Sequence, residues 1–201
     1  MRRYRPSLQE KHGAPRANRR ASRGSGFSLI ELITVVAVCA ILSGIAMPAL
    51  DDMVRGYRLR LAAADFLGAI ELARGQAIGQ GQKVLLAPSE PSLSWSDGWT
   101  VFIDRNGDRR PGPGDDILMR HPPLQGNPTI DMAFGGQQGP PYLAYNGMGR
   151  GCTHSNSLAP RFGTVTLTLG RHIRRVKINM LGRARLCDPA VSGAACSGPD
   201  S

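Results

Sequence analysis

Aromatic residues and catalytic sequence signatures are scarce in this chain of 201 residues. Phe, Trp and Tyr together make up 5% of it, and there are four cysteines and four histidines. The cysteines form no CxxC pair, the histidines have no HxxxH or HExxH spacing, and neither a GxSxG motif nor a P-loop occurs. These absences argue against redox enzymes, zinc enzymes, serine hydrolases and nucleotide hydrolases. We therefore expect a protein that is not an enzyme and that binds no cofactor and no metal.

Glycine and proline are well represented, at 25 and 15 residues. This content is rich in turns, yet it stays below the level of disordered or collagen-like chains. The length fits one domain with appendages. A bundle of helices is therefore disfavoured, and a loop-rich β or α+β domain is expected.

Positive charge is in excess, but most of the excess lies at the N-terminus. Residues 1–26 contain eight Arg or Lys against the single acid Glu10, which is +7 of the net charge of +10. The rest of the chain has 17 basic and 14 acidic residues. Loss of residues 1–26 as a leader would leave a protein whose positive and negative charges are nearly balanced.

An apolar stretch follows at residues 27–50. Of its 24 residues 18 are apolar, and Glu31 is the one charged residue. The stretch is long enough to span a bilayer, and the basic flank places the N-terminus in the cytoplasm. A secretory signal peptide cleaved near Ala46, a plain membrane anchor, and a leader joined to a fibre-forming helix all fit this pattern. A passive anchor gains nothing from Glu31, which costs about 2.5–3.5 kcal/mol at a helix centre.

The segment Gly26-Phe27-Ser28-Leu29-Ile30-Glu31-Leu32 resembles the cleavage and methylation motif of type IV pilins and type II secretion pseudopilins. The resemblance implies that a prepilin peptidase cuts between Gly26 and Phe27, and that Phe27 is then N-methylated. Glu31 would pair with the N-terminal amine of a neighbouring subunit and set its register in a filament. Pro48 falls where such proteins carry a helix-kinking proline. A leader of 26 residues is long for this motif, so an initiation codon inside it stays open as an alternative to Met1.

Residues 51–81 predict an amphipathic helix. Asp51 and Asp52 suit its start, and the glycines at 79 and 81 suit its end. We interpret its apolar stripe as the face that packs on a sheet, with contact to a lipid surface as the alternative. The residues of this stripe recur every three or four positions: Met53, Tyr57, Leu61, Ala64, Leu67, Ile70 and Ala77.

Residues 82–187 predict an antiparallel β domain, because short β-type runs alternate there with turn clusters. The predicted strands are 83–87, 99–104, 116–120, 129–134, 142–145, 164–169 and 174–180. No internal repeat is found. The whole chain predicts an α+β fold in which a long N-terminal helix, transmembrane in its first half, packs on this sheet, with residues 188–201 as a tail. Residues 98–120 and 174–187 resemble the central hairpin and last strand of the GspH/FimT family, so the similarity covers most of residues 24–187.

The loop that begins at Asp104 has oxygen-bearing side chains at the spacing of a calcium loop. Arg109 stands where that loop needs glycine, Asp115 stands where glutamate is usual, and the arginines of the loop oppose a cation. We favour the alternative of a solvated hairpin loop whose Asp and Asn side chains cap turns.

Three of the four cysteines are expected outside the cytoplasm, where disulfides form. Cys39 lies in the apolar stretch and is interpreted as a small helix residue. A bond between Cys187 and Cys196 would close a short C-terminal loop, and it is preferred. A bond between Cys152 and Cys187 is the alternative.

Basic residues dominate the C-terminal third. Residues 148–187 contain eight basic residues and no acidic one, a pattern that attracts phosphates. On the last predicted strand, Arg175 and Lys177 alternate with apolar residues and are expected on the solvent face. Arg183 and Arg185 follow Gly182 in an extended tail that points both side chains the same way, and each guanidinium can bind phosphate oxygens in pairs.

The run Gly182-Arg183-Ala184-Arg185 resembles the GRxR tail motif linked to DNA binding in FimT-type minor pilins of naturally competent bacteria. The resemblance implies that Arg183 and Arg185 contact DNA with support from Arg174, Arg175 and Lys177. Because aromatic residues are few, we expect contact with the backbone of double-stranded DNA, without sequence readout. A basic surface that complements acidic neighbours at a filament tip is the alternative.

The resemblance implies a structural subunit, either a minor pilin or a pseudopilin, of the bacterial inner membrane with a periplasmic C-terminal domain. Its implied partners are the prepilin peptidase, other minor pilins or pseudopilins, the inner membrane and double-stranded DNA. Type IV pili and type II secretion pseudopili share this subunit plan. Two narrower hypotheses therefore stay open, a dedicated DNA-uptake receptor of a competence pilus and the H-type pseudopilin of protein secretion without DNA binding.

Overall fold

The computed structural model describes residues 26–89, 94–134 and 142–197. The chain divides into two units, residues 1–44 and 45–201, and each is described by itself. The predicted leader, apart from Gly26, lies outside the described residues, and so do residues 198–201 of the predicted tail.

One long helix, α1 (Leu29–Gln80), contributes to both units. Ser28 precedes it, and its Oγ accepts a hydrogen bond from the Glu31 amide at 3.3 Å, as N-cap residues do. In the first unit the large apolar side chains from Leu29 to Leu42 are each 52–75% exposed. The helix is long and apolar enough to cross a membrane. It continues through Pro48, which cannot donate a backbone hydrogen bond, and a kink there stays a prediction.

The second unit contains two antiparallel four-stranded sheets. The first has the order β3-β2-β1-β5 and the second the order β4-β6-β7-β8. The eight strands are β1 (Val84–Pro88), β2 (Trp99–Ile103), β3 (Asp116–His121), β4 (Thr129–Phe134), β5 (Leu143–Tyr145), β6 (Gly163–Leu169), β7 (His172–Ile178) and β8 (Ala184–Cys187). A short 3₁₀ turn, Trp95–Asp97, precedes β2. The α+β prediction is confirmed, although one sheet was expected where there are two.

A single hydrophobic core joins the second half of α1 to both sheets. Phe66 is fully buried at its centre and meets the rings of Trp95 and Trp99 edge-on, at centroid distances of 5.3 and 5.1 Å. A smaller cluster that contains Phe102 and Tyr142 is separate from this core. The two sheets and the helix therefore fold as one packed body within residues 45–201.

The predicted apolar stripe of α1 is wrong over its first half. Met53, Tyr57 and Leu61 are 70%, 59% and 46% exposed, and Ala64 is exposed as well. The buried face instead consists of Leu59, Ala62, Ala63, Phe66, Ala69, Ile70, Ala73 and Ala77. This face is rich in alanine, which lets the helix lie close to the strands but carries little weight in a hydrophobicity pattern. Of the predicted set, Ile70 and Ala77 are buried and Leu67 is partly buried.

A second helix, α2 (Pro189–Ser197), follows β8 in the segment that was expected to be a tail. Its helical geometry is broken at Ser192 and Gly193. A disulfide joins Cys187 to Cys196, with their Cα atoms 5.7 Å apart, and this is the pair preferred from the sequence. Cys39 and Cys152 are free, and burial raises the pKa of the Cys152 thiol.

Candidate functional site

The N-terminal motif lies at the start of α1. Gly26 and Phe27 precede the helix in non-helical backbone, and Phe27 is 82% exposed. Glu31 lies in the first helical turn and is exposed among apolar side chains. The peptide bond between Gly26 and Phe27 is thus accessible. The exposed apolar surface of the first part of α1 requires lipid or protein neighbours.

The loop between β2 and β3 is held by its own hydrogen bonds. Asp104 accepts hydrogen bonds from the amides of Gly107 and Arg109 at 2.8 and 3.0 Å, and His154 Nε2 lies 3.1 Å from its Oδ2. Asp115 accepts from the amides of Arg105 and Gly112, each at 2.9 Å. Among residues 26–89, 94–134 and 142–197, no group of three or more His, Cys, Asp or Glu side chains could hold a metal ion. The hydrogen bonds of Asp104 and Asp115 give the loop the capped turns that were predicted.

Two aspartates of α1 bind it to the β strands. Asp52 Oδ1 lies 3.1 Å from His172 Nε2, and Asp52 Oδ2 accepts a hydrogen bond from Arg171. The Arg171 guanidinium holds the pKa of the Asp52 carboxyl below its usual range. Asp65 lies 3.4 Å from His121, whose ring stacks on Trp99 at 4.0 Å. These charged groups hold α1 to the β strands.

The expectation that Arg175 and Lys177 lie on the solvent face is wrong for Lys177, which is only 4% exposed. Arg175 is partly buried, and its Nη1 donates to the Cys196 carbonyl oxygen at 3.5 Å. Arg174 forms an ion pair with Asp188 at 2.8 Å, and its side chain is 12% exposed. Helix α2 packs on β7 and β8, and its Cys196 accepts the hydrogen bond from Arg175, so α2 covers the face of β7 that Arg175 shares with Lys177. Arg174 lies on the opposite face of β7.

Arg183 and Arg185 are both exposed. Arg183 ends the loop between β7 and β8, and Arg185 lies in β8 opposite Lys177. β8 is the edge strand of its sheet, so no further strand of that sheet lies beside Arg185 on its outer side. Of the five basic residues named from the sequence, these two are open to a large partner.

A further exposed arginine, Arg150, lies in an adjoining loop. Arg150 belongs to the basic segment 148–187 but is not among the five contacts predicted from the sequence. The signal that could have found it is the pattern N-x-x-G-R, which occurs as Asn146-Gly147-Met148-Gly149-Arg150 and again as Asn179-Met180-Leu181-Gly182-Arg183.

Two family models match the chain. Residues 62–182 match the type II transport protein GspH, and residues 22–47 match the prokaryotic N-terminal methylation motif. The chain belongs to the GspH family. The methylation motif contains Gly26, Phe27 and Glu31, and the GspH match covers α1 from residue 62 onward and strands β1 to β7, ending just before β8.

This GspH-family chain is also similar to one pilin-like protein in sequence and to two solved structures in fold. A pilin-like protein, PilA1, of Thermus thermophilus is 30% identical over 164 residues, 80% of this chain and 97% of the relative. The crystal structure of the type IV minor pilin FimU of Pseudomonas aeruginosa aligns with a TM-score of 0.50 at 16% identity, covering 66% of this chain and 90% of FimU. The minor pseudopilin EpsH of Vibrio cholerae aligns with a TM-score of 0.42, at 16% identity and with 66% and 98% of the two chains covered. The two family models and the pilin-like relative place the chain in the pilin and pseudopilin class of structural subunits. Its apolar helix fits anchoring in a membrane.

Proposed function

We propose that this GspH-family subunit is cut by a prepilin peptidase between Gly26 and Phe27 and is then built into a filament through the apolar part of α1. The observation that carries this proposal is the exposed apolar surface of α1 with Glu31 as its one charged residue, located directly after an accessible Gly26–Phe27 bond. The basic segment before it favours a cytoplasmic N-terminus and a periplasmic position for residues 51–201.

Assembly then exchanges one apolar environment for another. The side chains of residues 27–50 leave lipid for the equally apolar surroundings of neighbouring helices, so the hydrophobic term changes little. Glu31 is the exception, since a carboxylate in an apolar segment costs about 2.5–3.5 kcal/mol at a helix centre and less near the end, where Glu31 lies. Pairing with the amine of Phe27 on a neighbouring subunit offsets this cost at one position only. The pair therefore selects a single axial register.

The test of processing is the mass of the mature N-terminus. Expressed with a prepilin peptidase, the chain is expected to begin at an N-methylated Phe27, and without the peptidase it should keep the leader. An N-terminus at Met1 in the presence of an active peptidase would contradict the proposal and support a plain anchor. An N-terminus at Met47 would support a secretory signal peptide.

A second candidate function is DNA binding by Arg183 and Arg185. It is favoured by the exposure of these two guanidinium groups at the edge of the second sheet, in a segment of 40 residues, 148–187, that has no acidic residue. Each guanidinium can donate two parallel hydrogen bonds to one phosphate. Arg174, Arg175 and Lys177 would add long-range attraction and no direct contact, because they are partly or fully buried.

The double variant Arg183→Gln, Arg185→Gln is expected to weaken binding of double-stranded DNA and to lower the slope of log K against log salt by about one to two. The chain should begin at Phe27 and be held in a nonionic detergent, because the eight basic residues of the leader would bind DNA by themselves. Arg60→Gln is the matched control, since Arg60 is an exposed arginine of α1. Failure of the unmodified chain to bind near physiological salt would leave the basic surface as a contact for acidic neighbours.

A further inference from the structure

Two loops of this protein have the same sequence pattern and the same hydrogen bonds. We name them the first loop, residues 146–150, and the second loop, residues 179–183. The flanking residues pair across each antiparallel turn, Tyr145 with Gly151 and Ile178 with Ala184. Each loop reads Asn-x-x-Gly-Arg, so the first and last positions are a pair of Asn and Arg residues in both.

The backbone of the two loops is closed in the same way. The amide of the Asn donates to the carbonyl of the Arg at 3.0 Å in both loops. The amide of the Gly donates to the carbonyl of the Asn at 2.8 Å in the first loop and 2.9 Å in the second. Gly149 and Gly182 have φ angles of 72° and 76°, a left-handed conformation that favours glycine.

The asparagine side chain completes each loop. Asn146 Oδ1 accepts from the amides of Met148 and Arg150, both at 3.0 Å. In the second loop Asn179 Oδ1 accepts from the amides of Leu181 and Arg183 at 3.1 and 3.0 Å. In both loops the backbone at the arginine is thus fixed by two hydrogen bonds before any partner arrives, which reduces the entropy cost of binding.

The two loops lie against each other. A Cβ atom placed on Gly182 would be 2.3 Å from the carbonyl oxygen of Gly149 and 3.1 Å from Cα of Arg150. The first loop is also tied to α1, since Arg74 Nε donates to the Gly149 carbonyl oxygen at 3.0 Å. Arg150 and Arg183 are both exposed, so two equivalent arginines extend from neighbouring, rigid turns of one surface.

The third residue of each loop is apolar and exposed, Met148 at 62% and Leu181 at 52%. They line one side of a cleft of about 300 Å³ between the loops, together with Leu158 and Met180. Neither loop carries an aromatic side chain on which an unpaired base could stack. The two arginines and the exposed apolar side chains beside them fit the phosphates and groove edges of a duplex better than they fit a single strand.

We propose that the first loop is a second phosphate-binding element, and that Arg150 and Arg183 together hold the backbone of double-stranded DNA, with Arg185 beside them. This inference rests on the DNA-binding function proposed above and adds Arg150 to it. The two loops form one surface, and removal of either arginine should have the same kind of effect.

The test compares Arg150→Gln, Arg183→Gln, the double variant and the Arg60→Gln control in the chain that begins at Phe27, in nonionic detergent. Binding of a fluorescent duplex of about 30 base pairs, long enough to cover several phosphates, is measured by anisotropy across a salt series. Each loop variant is expected to lower the slope of log K against log salt by about 0.9, because one phosphate contact is lost. Counterion release contributes nothing at 1 M salt, so at 0.1 M, one decade lower, this change in slope reduces the affinity by about eight-fold. The double variant should lose about twice the slope, and the control should follow the unmodified chain. Unchanged melting temperatures confirm that the exposed substitutions do not disturb the fold.

The outcomes separate this inference from the function on which it rests. Absence of duplex binding by the unmodified chain overturns both. Duplex binding that weakens in Arg183→Gln but not in Arg150→Gln overturns the role of the first loop and leaves DNA binding in place. Polyglutamate serves as an acidic polypeptide probe. Should it bind as tightly as the duplex and depend equally on both arginines, the surface recognises acidic protein partners and the proposal is overturned.

Discussion

Replacing Glu31 with alanine is expected to abolish incorporation of the subunit into filaments while cleavage between Gly26 and Phe27 continues. Glu31 is the one charged residue of residues 27–50, so its removal makes the apolar segment more soluble in lipid and deletes the partner of a neighbouring N-terminal amine. The subunit should accumulate in the membrane as a processed monomer. Mass spectrometry of the N-terminus measures cleavage, and immunoblotting of the sheared filament fraction measures incorporation.

Thr34→Ala is the matched control for this experiment. Thr34 is the next polar residue of the same apolar helix after Glu31, and its hydroxyl donates to the Glu31 carbonyl oxygen at 2.9 Å, so it is bound within its own helix. Its loss changes polarity at the same level of α1 without removing a charge, and incorporation should persist. Normal amounts of the Glu31→Ala subunit in filaments would show that the carboxylate does not set the register.

All seven predicted strands begin and end within two residues of the observed ones because β-type runs and turn residues are local signals. The run at 129–134 coincides with β4, and the run at 99–104 is one residue longer than β2. The last strand of the prediction was placed at 174–180, whereas β7 is His172–Ile178. Strand β8 was not predicted, because its four residues, Ala184–Cys187, are too few to show a β-type pattern and one of them is arginine. β8 is a strand because it pairs with β7, and this tertiary contact is not indicated by the local sequence.

Composition alone does not show which basic residues of the C-terminal third are exposed. A count of charges between residues 148 and 187 cannot distinguish Arg174, which pairs with Asp188, from Arg183, which is exposed. The difference comes from a tertiary contact, since Asp188, the partner of Arg174, lies between β8 and α2 and is 14 residues away in the sequence. Burial of Lys177 follows from such tertiary packing and not from its own strand pattern. The pair of loops, in contrast, is visible in the sequence, but a pattern of five residues is too short to be recognised as a repeat without the matching hydrogen bonds.

The register of α1 on the sheets can be tested with two leucines that lie two residues apart. Leu59 is fully buried and Leu61 is 46% exposed, whereas the apolar periodicity had assigned Leu61 to the core. Leu59→Ala is expected to lower the free energy of unfolding by about 3–5 kcal/mol, because it removes buried methyl groups and leaves a cavity. Leu61→Ala should lower it by less than about 1 kcal/mol, as surface substitutions do.

Guanidinium unfolding of the chain from Phe27 in nonionic detergent, followed by tryptophan fluorescence, measures both variants. The probe is suitable because Trp95 and Trp99 are buried beside Phe66, which lies on the same face of α1 as Leu59. Each variant serves as the control of the other, since the residue type, the helix and the substitution are the same. Equal losses would mean that both leucines contribute to the core, and a larger loss for Leu61→Ala would mean that α1 is rotated about its axis. A much larger loss in the free energy of unfolding for Leu59→Ala than for Leu61→Ala is the result expected if Met53, Tyr57 and Leu61 face outward. In that position the three side chains are available to the neighbours that a filament subunit requires.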